Sequence, residues 1–352
     1  MAKSATPTAA RAPATVAAGF VTGLLSGMYA AGRDPLPLID AAGVNPNCLI
    51  DPGVRVPLAR YTELYNLVVR ELDDEAFGLF SQPMMVGSFE LLCRAIVSAP
   101  TLARALERAT RYLRILLPDI TVTLRRKGDT AHLVVAERQP LADSTDDPRR
   151  IFAYEWLLRL IHGLACWLVG RGLALDRVAF PYPWPPHAGD YALIYTEHAE
   201  FGAPMLDAAF EASLLDLPIR RDEAAVSLFL NGAPASITAL YRRDREMVLK
   251  VREMLRSALP ANLDLDRAAS ALHVSPRTLH RRLAEEGTSF RAVKDALRRD
   301  LALVRLAAGD EPVAKIAADL GYADASAFFR AVSGWTGTGP TDYRRRMAGS
   351  GR

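Results

Sequence analysis

The stretch Gly321-Tyr322-Ala323-Asp324-Ala325-Ser326-Ala327-Phe328-Phe329-Arg330 decides how this chain folds at its C-terminal end. Gly321 and Tyr322 interrupt a helical pattern, and Asp324 stands where a short carboxylate can accept the free N–H groups that open the next helix. That helix is predicted over 324–335, with Phe328 and Val332 on one face and Ser326, Phe329 and Arg330 on the other. Just before it, Pro312 to Leu320 reads as a shorter helix with Ala317 and Leu320 inward.

The same plan occurs once more upstream. Ala269 and Leu272 precede Ala317 and Leu320 by 48 positions, and Ser275, Leu279, Arg281 and Leu283 precede Asp324, Phe328, Arg330 and Val332 by 49. Ser275 followed by Pro276 is a helix start, so a helix is predicted over 275–286, stopped by Gly287. A short helix, a tight turn and a capped second helix, twice over, is the helix-turn-helix plan.

Working outward, breakers divide the tail into seven helices. The first carries Val248, Val251, Leu255 and Leu259 before Pro260; the second is Arg267 to Leu272; the last runs from Gly339-Pro340 to Arg344-Arg345-Arg346. Between the two repeats lies a long helix capped by Ser289 and closed by Gly309, with Phe290, Val293, Leu297, Leu301 and Val304 expected inward. At about 20 residues and ~1.5 Å each it spans ~30 Å, close to the ~34 Å between successive major-groove faces of B-DNA. Its Arg291, Lys294, Arg298 and Arg305 form a basic stripe that suits either a solvated face or phosphate contact.

Charge follows the same division. From Tyr241 onward there are 21 Lys and Arg against 14 Asp and Glu, a net +7, whereas everything before carries 22 against 26, a net −4. The positive third is where a polyanion would bind. The outward residues Arg277, Thr278, His280 and Arg281 of the first unit, and Ser326, Phe329 and Arg330 of the second, are therefore the candidate DNA contacts. A guanidinium can pair with guanine O6 and N7 together, and a phenyl ring can lie on a thymine methyl or be buried against the last helix.

The N-terminal two thirds mixes periods. Residues 1–15 read as a disordered leader, and Phe20, Leu24 and Met28 as a buried first helix within Val16 to Ala31, a plainer reading than a secretory signal. Leu36 to Ala42, Arg60 to Leu72 and Phe89 to Leu116 are helical in pattern; Ile120 to Leu124 and Ala131 to Val135 form a hairpin about Lys127-Gly128-Asp129. Pro148 opens a long helix to Gly170, Leu175 to Phe180 is a strand, and Ala224 to Leu240 is a broken helix before the basic tail. The fold expected is an α+β N-terminal effector domain over 16–240 followed by an all-α domain over 241–347 containing two helix-turn-helix units.

These residues resemble a known family. Gly321 to Arg330, with Gly334-Trp335-Thr336-Gly337, Pro340 and Tyr343-Arg344, closely resembles the second-unit signature of AraC/XylS-type regulators, and Ser275, Leu279, Arg281 and Leu283 before Gly287 resemble its partner. More loosely, Val86 to Tyr112, the helix from Pro148 and Phe201-Gly202-Ala203-Pro204 resemble the effector domain of the ornithine-utilisation and virulence regulators. The resemblance implies a sequence-specific transcription regulator of promoter or operator DNA, an activator contacting RNA polymerase, a small-molecule effector and a homodimer. Two departures stand out: His273 where the turn often has Gly, and Val332-Ser333 in place of an aromatic and basic pair.

Tyr154, Trp156, Arg159 and His162, with Trp167, lie together on the long N-terminal helix and could line an effector pocket, although helical aromatics are more often plain core. Trp184 in the proline-rich run is a candidate packing plug. No phosphate loop, His-Glu-x-x-His run, nucleophile elbow or Cys-x-x-Cys occurs, so no catalytic residue, cofactor or metal is expected and an enzyme fused to a DNA-binding tail is disfavoured. His198 beside Glu197 and Glu200 reads as a surface grouping. Sequence-indifferent packaging of DNA would need positive charge along the whole chain. Three scattered cysteines, Cys48, Cys93 and Cys166, suit a reducing cytoplasm, and no membrane association is expected.

Overall fold

The computed structural model describes residues 15–50, 54–231, 246–286, 288–308 and 311–349. The N-terminal part runs β1 (Thr15–Ala17), α1 (Ala18–Ala30), α2 (Leu36–Ala41), β2 (Arg55–Pro57), α3 (Leu58–Leu72), α4 (Ser88–Val97) and α5 (Leu102–Leu116). It continues with β3 (Ile120–Lys127), β4 (Thr130–Glu137), α6 (Pro148–Val169), β5 (Arg177–Phe180), α7 (Tyr191–Ile194), β6 (Ala199–Phe201), β7 (Leu206–Glu211) and α8 (Glu223–Leu230). Five strands make one sheet in the order β3-β4-β7-β5-β6, antiparallel except for the β5–β6 pair. β1 and β2 form a separate antiparallel ribbon, Thr15 opposite Pro57.

α6 organises this half. Asp147 accepts the Arg149 N–H at its start, Pro148 occupies its first turn, and Gly170 at φ 70° ends it. Every residue from Arg150 to Val169 is buried. The helix is long and apolar enough to cross a membrane, and here its apolar surface is buried inside the protein instead. α1 can pack closely because it carries glycines: a Cβ on Gly23 would lie 2.6 Å from Phe152 of α6, and one on Gly27 1.8 Å from the Phe77 carbonyl oxygen in the connection after α3.

The first helix, the hairpin and the long helix stand where the sequence placed them, and Phe20, Leu24 and Met28 are all buried. Phe89 to Leu116 differs: Pro100 ends one helix, and the Thr101 hydroxyl opens the next by accepting the Arg104 N–H, so two helices replace one span. Trp184 is no plug; it is 67% exposed and touches Phe201 at 4.8 Å between ring centroids. Residues 1–14 of the expected leader, and the 232–240 part of the broken helix, lie outside the described residues.

In the tail follow α9 (Glu246–Ala258), α10 (Leu265–Ala271), α11 (Pro276–Glu285), α12 (Phe290–Ala308), α13 (Val313–Asp319), α14 (Ala325–Thr336) and α15 (Pro340–Gly349). They enclose two separate apolar clusters. Val251, Leu255, Ala269, Leu279, Leu283, Val293 and Leu297 build one; Ala302, Leu303, Leu306, Ile316, Leu320, Phe328, Val332 and Tyr343 build the other. α12 serves both, but at different angles around its axis. That rotation corrects the expected inward stripe: Leu303 and Leu306 take the inner positions of the second cluster, and Val304 is 48% exposed.

The two halves meet at a buried ionic cluster. Arg55 of β2 reaches Asp190, which precedes α7, at 2.8 Å and Asp300 of α12 at 3.1 Å; Arg299 of α12 pairs with Asp190 and donates to the Gly189 carbonyl at 2.7 Å. Burial by itself would raise the Asp190 carboxyl, but Arg299 and Arg55 outweigh it and hold it at about 2, against an ordinary 3.8. A carboxylate depressed in the folded state stabilises fully above its unfolded value and stops doing so as pH falls through the folded one. Equilibrium urea unfolding is therefore expected to show about 2 kcal/mol of stability lost between ~pH 4 and ~pH 2. Asp190→Asn should be less stable at neutral pH and flatter across that window; an unchanged acid profile would contradict the pairing.

Candidate nucleic-acid interface

Each unit is built the same way. Leu272 ends α10, and the Val274 N–H returns to the Ala269 carbonyl while the Tyr322 N–H returns to that of Ala317. Both turns need a left-handed residue: His273 sits at φ 55° and Gly321 at φ 71°. The histidine therefore adopts the conformation that glycine holds in the second copy, at a steric cost of roughly 1–2 kcal/mol. Ser275 accepts the Thr278 N–H at 3.1 Å, and Asp324 accepts that of Ala327 at 2.7 Å, so both expected caps are formed. Gly321 has a second constraint, since a Cβ there would lie 2.4 Å from the Pro260 carbonyl oxygen.

Leu279, Leu283, Phe328 and Val332 are wholly buried, which fixes the rotation of α11 and α14. Arg277, His280, Arg281, Ser326 and Arg330 are consequently exposed, together with Arg282, which the sequence reading left out. Arg281 has a loose partner one turn on, Glu285 at 3.4 Å, both well exposed. Thr278 is half-buried and its hydroxyl is 2.8 Å from that of Ser275, so it serves the cap. Phe329 falls between its two alternatives: it is 49% exposed, yet its ring lies against Gly339 at the start of α15.

The basic stripe on α12 is largely occupied within the protein. Lys294 donates to the Leu263 carbonyl at 2.5 Å, and burial with Arg298 nearby lowers its pKa. Arg298 donates to the Gly321 carbonyl at 2.9 Å and stacks 4.9 Å from the Tyr322 ring. Arg305 pairs with Glu311 and with Asp319, at 2.5 and 2.6 Å. These three cations tie α12 to the turns around it. Arg291, with a side chain 93% exposed, is the member left facing solvent.

The four candidate effector residues are all buried on α6. The Tyr154 hydroxyl donates to Glu137 at 3.0 Å, and burial, aided by that carboxylate, pushes its pKa well up. Trp156 donates to the Tyr65 hydroxyl at 3.2 Å, and Arg159 lies 4.8 Å from the Phe20 ring. His162 Nε2 is 2.7 Å from the Leu173 carbonyl oxygen and lines a small apolar cavity with Leu102, Leu133, Leu158, Leu173 and Phe210. Its volume of about 20 Å³ is close to one water molecule. Glu197, His198 and Glu200 are exposed, and no grouping able to hold a metal occurs among the described residues.

Two known families match this architecture. One, described as the arabinose-binding N-terminal domain of the AraC transcription regulator, matches residues 32–219; a helix-turn-helix domain family matches residues 268–346. The ornithine utilization regulator of Pseudomonas aeruginosa is 32% identical over 308 residues, covering 87% of this chain and 89% of that protein. The chain belongs to the AraC family of transcription regulators. This AraC-family chain is also 27% identical over 335 residues to the regulator VirS of Mycobacterium tuberculosis, covering 91% and 94% of the two. The crystal structure of the transcriptional regulator CdpR from Pseudomonas aeruginosa matches 88% of the chain and 96% of its own at 24% identity, with a TM-score of 0.31, too low to inform the geometry.

Proposed function

We propose that this AraC-type regulator lays α11 and α14 into two successive major-groove segments of one duplex and that its N-terminal half responds to a small-molecule effector. In this reading residues 241–347 form the seven-helix DNA-binding domain and residues 16–240 the effector domain. Supporting it is the placement of two capped helices with wholly buried inner residues, whose polar sets face solvent at either end of a 19-residue spacer, ~28 Å long at ~1.5 Å per residue. Arg277 and Arg281 read one segment and Arg330 the other, with His280, Ser326 and Phe329 beside them and Thr278 holding the first cap. Activation through RNA polymerase, a homodimer, a cytoplasmic location and the absence of catalysis complete the reading.

An unbiased selection of random duplexes by the full chain is expected to return a site with two preferred blocks about one helical turn apart, ~10 bp. Affinity for that site should fall steeply with salt, because the basic tail displaces condensed counterions. No enrichment, or a flat salt response, would refute the DNA-reading assignment. For the effector, a panel of amino acids, fatty acids and other small metabolites is screened for a shift in thermal unfolding of the full chain, and no shift across the panel counts against small-molecule control.

A further inference from the structure

The ionic cluster between the halves grips the spacer helix at its middle. Arg299 and Asp300 lie where α12 passes from the first apolar cluster, at Leu297, to the second, at Ala302. Asp300 also receives Arg252 of α9 at 2.7 Å, so the cluster holds the first unit's opening helix as well as the spacer. On the N-terminal side Arg55 donates to the Thr15 hydroxyl and carbonyl at 3.1 and 3.0 Å, and Asp190 accepts the Ala17 N–H at 3.2 Å. The side chains of Arg55, Asp190, Arg299 and Asp300 are each under a tenth exposed, so these pairs are screened little by salt.

The clamp is continuous with the core. Next to Asp190, the Tyr191 hydroxyl donates to the Glu155 carboxylate of α6, which also holds His187 Nε2 at 2.6 Å. α1 follows directly on Ala17, and α12 packs against both β2 and α7. α6 and α1 are thus joined through this cluster to the midpoint of the helix that separates α11 from α14.

We infer that Arg55 and Asp190, although far from the reading faces, are positioning residues for DNA reading: by clamping Arg299 and Asp300 they set the angle between the two reading helices, and so the spacing of base blocks the chain accepts. The inference rests on α11 and α14 being the reading helices. Spacing is the informative readout, because inserting one base pair moves a block by ~3.4 Å and turns it by ~35° without changing any base within it.

The test uses the full chain and the duplex recovered by selection, with its spacer lengthened or shortened by one base pair. Wild type is expected to prefer the selected spacing by about tenfold or more. Asp190→Asn should narrow that preference to roughly threefold or less while each block keeps its base preferences, and Asp190→Glu should restore much of it. If Asp190→Asn does not fold, the paired replacement Arg55→Met with Asp190→Leu removes the charges from both partners and is read in the same way. Unchanged spacing preference in a folded variant overturns the clamp, as does a uniform loss of affinity with spacing preference intact. A wild-type chain indifferent to spacing overturns it by a different route, because the two-helix reading then fails first.

Discussion

Phe328→Ala should cost about 3–5 kcal/mol, the usual range for emptying a fully enclosed aromatic site. Phe328 is wholly buried among Ile316, Leu320, Val332 and Tyr343, and its ring meets Tyr322 nearly edge-on at 5.2 Å and 69°. Because the first cluster is separate, the damage should stay local: footprinting of the selected duplex is expected to lose protection over one block and keep it over the other. A variant with wild-type thermal unfolding would contradict the stability contribution of Phe328, and one losing both blocks together would show that the two units do not rest on independent cores.

Arg281→Ala is expected to leave folding unchanged, since the side chain is exposed and its pair with Glu285 is weak. Binding is another matter. Affinity for the selected site should drop by about 1–3 kcal/mol, with preference relaxed at a single base position. Titrations at one fixed salt concentration against the site and against scrambled duplex separate two roles. A base-reading arginine loses affinity for the site far more than for the scramble, whereas an equal loss on both would make Arg281 a phosphate anchor. Arg330→Ala should behave in the same way at the other block.

Much of this was legible in the residues, for physical reasons that differ from place to place. Ser275 and Asp324 announce helix starts because few side chains can accept a free backbone N–H, and both do so in the structure. Leu279 and Phe328 were placed inward by period alone, which suffices when a short helix has one buried side. Val304 escapes that rule because a single period describes a helix with one core, and α12 packs on two. The short strands Ala199–Phe201 and Leu206–Glu211 left too few alternations to recognise.

Of the candidate interface, most of the exposed positions on α11 and α14 follow from period, though not Arg282 or the half-buried Thr278, and the fate of the α12 cations does not. Lys294, Arg298 and Arg305 look like a phosphate-binding row until the turns they hold, at Leu263, Gly321 and Glu311, are folded beside them. Arg55, Asp190 and Arg299 lie far apart in sequence with no local pattern joining them, so only the folded chain reveals that they meet. On α6, Tyr154, Trp156, Arg159 and His162 are close in sequence, and burial of the whole helix gives them different neighbours, which no sequence pattern names.

That enclosure has a consequence for how the molecule is made. A ribosome delivers α6 before β5, β6 and β7, so a 22-residue apolar helix emerges while three strands of the neighbouring sheet are still untranslated. Until Leu206–Glu211 arrives to complete the sheet, the nascent chain must be shielded by chaperones or collapse on itself, and truncations ending shortly after Val169 should aggregate where longer ones stay in solution.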